Sequence, residues 1–246
     1  MSEIVKTEAF VLGKINFRDS SNIVSLFTKN YGKLSVIVKG ARSSKSKIGL
    51  AIDPPNHLLI IMYKKDGREL QLLSGADIIS HYSHLKSNLE KLKYSYAVLE
   101  LIKNLIPENE QNLRIFSGLE RIFHLFDTEE ENPKILFGRF FMFFLTEIGY
   151  EIQLDECKSC GRSNLSGQNL SYNFEIGILC SNCEEKFLES FSINSELFEC
   201  LLCLKKNKSL ETVKNETMEK AIKFMEIYIK YHIPDFKGIQ SFSYLN

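Results

Sequence analysis

The chain of 246 residues contains no tryptophan, carries no net charge and lacks a long apolar run. Its 31 basic side chains equal its 31 acidic ones, so the total charge neither supports nor excludes a polyanionic partner. A membrane-spanning helix needs about 20 apolar residues, and Gly138 and Arg139 interrupt the most apolar stretch, residues 135–145. The first residues include Glu3 and no apolar run, unlike a secretory signal. We therefore expect a cytoplasmic protein with no membrane partner.

Basic and acidic residues are unevenly distributed along the chain. Residues 1–80 carry 12 Lys and Arg against 7 Asp and Glu, whereas residues 151–192 carry 3 against 7. Hydrophobic residues make up 44% of the chain, which is ordinary for a folded protein and excludes a disordered one. The N-terminal part is therefore the candidate for binding a polyanion.

The first 80 residues have the pattern of a small β domain. Apolar runs rich in Val, Ile, Leu and Phe cover residues 4–17, 22–28, 34–38, 57–63 and 69–73. Residues 30–33, 53–56 and 65–68 contain the Gly, Pro, Asn and Asp typical of turns. Five short strands predict a barrel, and a five-stranded barrel of this size is typically an OB-fold that binds oligonucleotides. We assign residues 1–79 to this domain.

Helical periodicity follows, and it defines the remaining domains. Apolar residues recur at three- and four-residue steps from Tyr82 to Ile102, over residues 111–126, and from Pro133 to about Gly149. We expect the Phe-rich stripe of the third segment to be core. The fold class is α+β and multidomain: an OB-fold barrel, a helical domain at 80–149, an inserted zinc ribbon at 150–192, and helices at 193–246 that complete the helical domain.

Two Cys-x-x-Cys pairs in the insertion predict a metal site. Cys157 and Cys160 are followed, after 19 residues, by Cys180 and Cys183, a spacing typical of zinc sites. A two-residue turn presents both thiolates to one tetrahedral ion, and Gly161 supplies the freedom that such a turn uses. Four cysteines close the coordination sphere, whereas a catalytic zinc keeps one position open. The sequence therefore predicts one structural Zn²⁺, bound through a hairpin of residues 170–174 and 176–179.

The third cysteine pair has a different setting. Cys200 and Cys203 lie in the apolar helical run 197–204. Free cysteine is among the most buried residue types. We expect two buried thiols that act as small hydrophobic side chains.

A basic stretch between the third and fourth predicted strands is the candidate for phosphate contacts. Lys39, Arg42, Lys45 and Lys47 fall within nine residues that contain no acid. Such side chains neutralise phosphates, and serine hydroxyl groups donate to phosphate oxygens. Further cations lie near the other loops of the barrel: Arg18 and Lys14 near the first, and Lys64, Lys65 and Arg68 in the next hairpin. The alternative interpretation is a solvated surface loop.

Three segments carry a resemblance to a known family. They are Thr7-Glu-Ala-Phe-Val-Leu, Phe27-Thr-Lys-Asn-Tyr-Gly-Lys-Leu-Ser and Val38-Lys-Gly-Ala-Arg-Ser-Ser-Lys-Ser. With barrel, helices and ribbon in this order, the chain resembles the RecO family of bacterial DNA repair proteins over essentially its whole length. The four cysteines correspond to those of zinc-bearing members. The ending differs from the usual family sequence at residues 236–241.

The resemblance implies a recombination mediator, and the absence of catalytic motifs from the sequence favours a protein that is not an enzyme. Such proteins bind single- and double-stranded DNA, anneal complementary strands, and act with RecR to help RecA displace single-strand-binding protein, whose C-terminal tail they bind. It also implies association with the nucleoid. We assign phosphate contacts to Lys39, Arg42, Lys45 and Lys47, extended by Arg18, Lys64, Lys65 and Arg68. Aromatic residues on the barrel surface are candidates for stacking on bases: Phe10, Phe17, Phe27 and Tyr31.

Two alternatives remain open at this point. A zinc-ribbon adaptor that binds only protein would have no measurable DNA affinity at low salt. An enzyme, such as a two-metal nuclease, would need clustered carboxylates, and the acids of the first 80 residues form no cluster in the sequence. A phosphate-binding Gly-rich loop with Lys-Ser/Thr is also absent from the sequence.

Overall fold

The computed structural model describes residues 2–184, 190–210 and 212–244. The chain forms two compact units. The first contains Met1–Glu130 and Ile239–Asn246, and the second contains Glu131–Gly238. The domain boundaries predicted from the sequence, after residues 79, 149 and 192, stay a prediction. The two compact units are defined by how densely their residues pack, and this does not identify domains. No helix among the described residues is both long and apolar enough to cross a membrane.

A closed five-stranded barrel forms the N-terminal part of the first unit. Its strands are β1 (Glu3–Phe17), β2 (Ser21–Thr28), β3 (Gly32–Val38), β4 (His57–Lys64) and β5 (Leu70–Ser80). The order around the barrel is β1-β2-β3-β5-β4. β1 pairs antiparallel with both β2 and β4, and β3 pairs parallel with β5. This closed arrangement is OB-like, as predicted from the five apolar runs.

The barrel interior is filled by the inward-facing side chains of all five strands. Ala9, Val11, Leu26, Val36 and Ile60 are each fully buried in one hydrophobic cluster. Side chains alternate between the two faces of a strand, so the neighbours of these residues point outward. The register of β1 against β2 shifts between Val11 and Gly13, and such a bulge bends a long strand so that it can pair on both sides of a barrel.

Helices complete the first unit, and here the sequence prediction was wrong in detail. They are α1 (Lys47–Ala51), α2 (Ser83–Ser87), α3 (Leu89–Leu105), α4 (Leu113–Thr128) and α8 (Ser241–Tyr244). β5 continues to Ser80, well past its predicted end at residue 73. The single helix predicted from Tyr82 to Ile102 is divided at Asn88, whose backbone is extended and whose side chain accepts a hydrogen bond from the Lys91 N–H.

The second unit combines three helices with a small sheet. It contains α5 (Pro133–Glu147), β6 (Leu170–Asn173), β7 (Gly177–Cys180), β8 (Phe191–Ile193), α6 (Ser195–Lys205) and α7 (Asn215–His232). The strand order is β7-β6-β8. The hairpin predicted around residues 170–179 is confirmed. The stripe of Phe137, Phe140, Phe141 and Phe144 is buried, which confirms that it is core.

Candidate nucleic-acid interface and metal centre

The predicted phosphate-binding stretch is an exposed, folded loop between β3 and β4. Lys39, Arg42, Lys45 and Lys47 are all exposed. Backbone hydrogen bonds from Ser43 to Gly40 and from Ser46 to Ser43 turn the chain, and Ser46 then caps α1. No ion pair joins these four cations to an acid among the residues that the structure describes. Their charges are therefore available to a ligand.

Arg18 is joined to this loop by hydrogen bonds. The Arg42 backbone N–H donates to the Ser20 carbonyl oxygen at 3.0 Å. The Arg42 guanidinium Nη1 donates to the Arg18 carbonyl oxygen at 3.1 Å. The guanidinium of Arg18 lies 5.1 Å from the centroid of the Phe17 ring. The β1–β2 turn and the basic loop thus form one group of cations, called here the basic loop group: Arg18, Lys39, Arg42, Lys45 and Lys47.

The other predicted cations lie elsewhere on the barrel. Lys64 ends β4 opposite Glu3, at the start of β1, whereas Arg18 follows the opposite end of β1. Lys64 pairs with Asp66 at 2.5 Å, and its ammonium lies 5.5 Å from the centroid of the Tyr31 ring. Lys65 and Arg68 are exposed in the same turn. Lys14 pairs with Asp53. The predicted track therefore consists of two groups at opposite ends of β1.

Two of the four candidate stacking residues are inaccessible. Phe10 and Phe27 are completely buried. They alternate with barrel-interior residues, so they face outward, but α4 covers them: the Phe116 ring lies 5.4 Å from that of Phe10 and 6.0 Å from that of Phe27, between centroids. The prediction that these two stack on bases was wrong. Phe17 and Tyr31 are half-buried and retain some exposed surface.

The four cysteines of the predicted zinc site lie together in the second unit. The sulfur atoms of Cys157, Cys160, Cys180 and Cys183 are all within 4.8 Å of one another. Cys160 Sγ and Cys180 Sγ are 3.8 Å apart. A tetrahedral zinc ion with Zn–S bonds of about 2.3 Å separates its sulfurs by about 3.8 Å. The arrangement therefore fits a four-coordinate zinc ion.

Tight turns orient the sulfur atoms within each pair. Gly161 donates its N–H to the Cys157 carbonyl oxygen at 2.8 Å and has φ +73°, the left-handed conformation for which the sequence provides a glycine. Cys183 donates in the same way to the Cys180 carbonyl oxygen. Burial raises the pKa of the Cys157 thiol, but backbone N–H groups of Cys180, Cys160 and Ser159 outweigh it and lower that pKa to about 6. This thiol is thereby prepared to bind metal as a thiolate.

The small sheet attaches the cysteines to the helices of the same unit. The Tyr172 side chain of β6 is buried, and its ring lies edge-on to Phe224 and Tyr228 of α7. Its hydroxyl oxygen accepts a hydrogen bond from the Gln153 N–H at 3.1 Å. Lys205 of α6 pairs with Asp155 at 2.9 Å. The sequence analysis missed β8, which adds a third strand beside β6.

Cys200 and Cys203 lie outside the four-cysteine group. Cys200 is buried, and its thiol donates to the Met218 sulfur at 3.8 Å. Burial raises the pKa of the Cys200 thiol to about 12. Cys203 is only half-buried, so the expectation of two buried thiols is wrong for this residue. Cys200 thus has the environment of an inert hydrophobic thiol, as expected.

The second unit also contains a cavity that sequence reasoning did not locate. Its volume is about 700 Å³, and its lining combines four apolar residues with two cations, one acid and three uncharged polar residues: Ile135, Leu210, Val213, Met218, Arg139, Lys214, Glu131, Asn132, Ser209 and Asn215. Arg139 donates to Glu131 Oε1 at 2.7 Å and to the Lys208 carbonyl oxygen at 3.2 Å. Its buried Nε has no hydrogen-bond partner among the described residues. Both cations have acidic neighbours: Glu131, which also lines the cavity, pairs with Arg139, and Glu196 lies 3.5 Å from Lys214.

Comparison with protein families identifies similar sequences along almost the whole chain. The model described as "Recombination protein O N terminal" matches residues 1–82, and "Recombination protein O C terminal" matches residues 86–238. A relative from Chloroherpeton thalassium is 28% identical over 97% of this chain and 96% of its own length. One from Geobacter metallireducens is 33% identical over 74% of this chain and 73% of its own length. One from Chlorobium limicola is 35% identical, and the matched part spans 60% of that relative. All three are named "DNA repair protein RecO".

Proposed function

The chain belongs to the RecO family of recombination and DNA repair proteins, and on this premise we propose that it is a recombination mediator. In this proposal it binds single- and double-stranded DNA and anneals complementary strands. Together with RecR it helps RecA load onto DNA covered by single-strand-binding protein, in the cytoplasm and at the nucleoid. It does so as a binding protein and not as an enzyme.

The DNA-binding part of this proposal rests on the exposure of the basic loop group. Its cations are exposed, and those of residues 39–47 make no ion pair with a described acid. The loop is held to the β1–β2 turn by Arg42, so its cations are presented by an ordered backbone on a rigid barrel. Cations that do not first have to leave an acidic partner neutralise phosphates at lower cost. We expect Lys65 and Arg68 to contribute more than Lys64, which already pairs with Asp66.

Annealing follows from charge neutralisation and requires no catalytic side chain. Two DNA strands repel each other through their phosphates, and bound cations reduce this repulsion. Base pairing then supplies the driving force. We therefore place the activity in the basic loop group and in exposed aromatic surface, for which Phe17 and Tyr31 remain the candidates.

The four cysteines serve the fold in this proposal. A Zn²⁺ ion held by Cys157, Cys160, Cys180 and Cys183 would have no open position for a substrate. When bound, it supplies a rigid crosslink between the turn before β6 and the end of β7. The small sheet has little core of its own, and a structural metal commonly stabilises segments of this kind.

The cavity in the second unit is our candidate for the tail of single-strand-binding protein. That tail is acidic and apolar, and the cavity pairs apolar side chains with Arg139 and Lys214, which an acidic peptide would have to draw from Glu131 and Glu196. Lys214→Glu should weaken binding of a fluorescent tail peptide, measured by anisotropy, because it places a negative charge beside the acidic peptide. Lys206→Glu, an exposed position outside the cavity, should have little effect. Equal affinity of both variants would place the peptide elsewhere.

The deciding experiment measures annealing of complementary labelled oligonucleotides covered with single-strand-binding protein. We expect the protein to accelerate annealing at low salt and to lose this effect as salt rises. Changing Arg42, Lys45 and Lys47 to Ala should reduce the log–log salt slope of single-strand affinity by about 2, at about 0.7 per phosphate contact. A control variant, Lys206, Lys220 and Lys223 to Ala, removes the same charge from exposed positions just after α6 and on α7, where Lys220 and Lys223 pair with Glu216 and Glu226.

Each outcome has a distinct meaning. A wild-type salt slope in the loop variant would remove the basic loop group from the DNA interface. Absence of any DNA affinity at low salt in folded, zinc-replete protein would favour the adaptor that binds only protein. Cleavage of DNA after addition of Mg²⁺ or Mn²⁺ would contradict the non-enzymatic assignment.

A further inference from the structure

A second cluster of possible metal ligands lies on the barrel, and it shares no residue with the basic loop group or the four cysteines. Glu8 of β1, His57 of β4 and Glu120 of α4 each bring one ligand atom within 4.8 Å of the others. All three belong to the first compact unit. Phe10 is directly opposite His57 in the β1–β4 ladder, so Glu8, two residues before Phe10, shares a sheet face with both. α4 crosses this face and adds Glu120.

His57 is held rigidly, and its buried nitrogen lacks a hydrogen bond. Its side chain is only 6% exposed. The ring stacks on Phe10, with centroids 4.4 Å apart and an interplanar angle of 7°. Nε2 lies 3.2 Å from Glu8 Oε2, within ion-pair distance, yet it forms no hydrogen bond of regular geometry with a described residue. Buried polar atoms in folded proteins are nearly always bonded to something, so this atom calls for a ligand.

The two oxygens of the Glu8 carboxylate have different neighbours. Oε1 accepts a hydrogen bond from Lys29 Nζ at 2.8 Å, while Oε2 faces His57. The Lys29 ammonium thereby fixes the carboxylate orientation, as residues around a metal ligand commonly do. Its hydrogen bond lowers the pKa of Glu8 and keeps that side chain ionised.

Glu120 is the third candidate ligand of the cluster. No hydrogen bond or ion pair connects its carboxylate to a described residue. Burial raises the pKa of Glu120; the Lys29 charge opposes that rise and the Glu8 charge adds to it. Burial also lowers the pKa of His57, which favours a neutral imidazole with a free lone pair. Two carboxylates against the single charge of Lys29 leave negative charge in a partly desolvated site.

We propose that Glu8, His57 and Glu120 bind a divalent transition-metal cation at a second site, independent of the four cysteines and of DNA binding. A neutral imidazole with two carboxylates is a donor set that suits Mn²⁺ or Zn²⁺. One cation would satisfy His57 Nε2, Glu8 Oε2 and Glu120 together and would balance their charge. A water molecule would bridge the same atoms without balancing the charge, so it is the competing explanation.

The test titrates Mn²⁺ into the 246-residue chain with its cysteine site filled by zinc. Mn²⁺ prefers oxygen and nitrogen ligands to thiolates, so free Mn²⁺ measured by electron paramagnetic resonance reports the new site. We expect one saturable Mn²⁺ per chain, and a second equivalent of zinc after dialysis against Zn²⁺. Glu120→Gln should weaken Mn²⁺ binding by at least about tenfold. Glu130→Gln, an exposed residue outside the cluster, is the charge-matched control.

A second variant distinguishes the loss of a metal ligand from a loss of folding. Glu8→Gln removes a different ligand and should cause a similar loss, while circular dichroism checks that each variant keeps the wild-type spectrum. The proposal is overturned if neither Mn²⁺ nor a second equivalent of zinc binds, in which case water bridges the three groups. It is equally overturned if both metals bind with the same affinity to the wild type, Glu120→Gln and Glu8→Gln.

Discussion

Gly32, the first residue of β3, shows how one residue can be fixed by two separate constraints. Its φ is +65°, and a Cβ atom there would lie 2.2 Å from the Glu110 carbonyl oxygen. The left-handed conformation alone costs a non-glycine residue about 1–2 kcal/mol, and the backbone clash adds to it. We predict that Gly32→Ala lowers the free energy of unfolding by more than about 2 kcal/mol. Urea unfolding followed by circular dichroism measures this, since the chain has no tryptophan to report by fluorescence.

Gly67 offers the matched control for this prediction. It has φ +72°, but a Cβ atom there would meet nothing within 4 Å. Gly67→Ala should therefore cost only the conformational part, about 1 kcal/mol. If both substitutions destabilise the protein equally, the close approach of Glu110 contributes nothing and the interpretation of Gly32 is wrong.

At the residue scale, the sequence revealed sites whose constraints are local. Two cysteines separated by two residues share a turn in almost any fold, so the spacing alone grouped Cys157 with Cys160 and Cys180 with Cys183. The burial of Phe10 could not be predicted in this way. Its outward direction follows from strand alternation, but its burial depends on α4, which is distant in the sequence. The cluster of Glu8, His57 and Glu120 was missed for the same reason.

At the scale of elements, asparagine side chains determine where several helices begin. Asn88, Asn112, Asn132 and Asn194 each accept a hydrogen bond from a backbone N–H in the first turn of the following helix. Asparagine is among the strongest N-cap residues because its side chain satisfies an otherwise unpaired N–H. The three- and four-residue spacing of apolar side chains continues on both sides of Asn88, so this spacing predicted one helix. The structure has two helices, because Asn88 caps the start of α3. Asn88, as a strong N-cap residue, marks the boundary between the two helices in the sequence.

The cap of α4 gives a direct test of this account. Asn112 Oδ1 accepts from the Ile115 N–H at 2.9 Å. We predict that Asn112→Ala lowers the free energy of unfolding by about 1 kcal/mol, while Asn112→Asp, which keeps an acceptor oxygen, changes it by much less. Thermal melting followed by circular dichroism distinguishes the two variants. Equal losses would show that α4 gains its stability from packing alone.

At the scale of the whole molecule, each compact unit has its own means of stabilisation. The barrel in the first unit encloses a continuous hydrophobic cluster built from its five strands and α1. In the second unit, the three-stranded sheet has strands of three or four residues, and the four cysteines lie beside it. The sequence indicated both features, because strand alternation and cysteine spacing are local. It did not indicate which helices pack with which unit, since that depends on contacts far apart in the chain.

This difference predicts that zinc removal affects the units unequally. Chelation leaves four thiols, three of them buried, without the ion that we propose holds them together, so residues 153–180 should lose protection from hydrogen exchange. The barrel strands should keep theirs, because no residue of the barrel contributes to the four-cysteine site. Hydrogen–deuterium exchange read by mass spectrometry, before and after chelation and after zinc is restored, measures both regions in one sample. Cys157→Ser should start with the exchange pattern of chelated wild type and change little on further chelation. Uniform loss of protection across both units would mean that the metal stabilises the molecule as a whole, and the same experiment would then contradict a zinc role confined to the second unit.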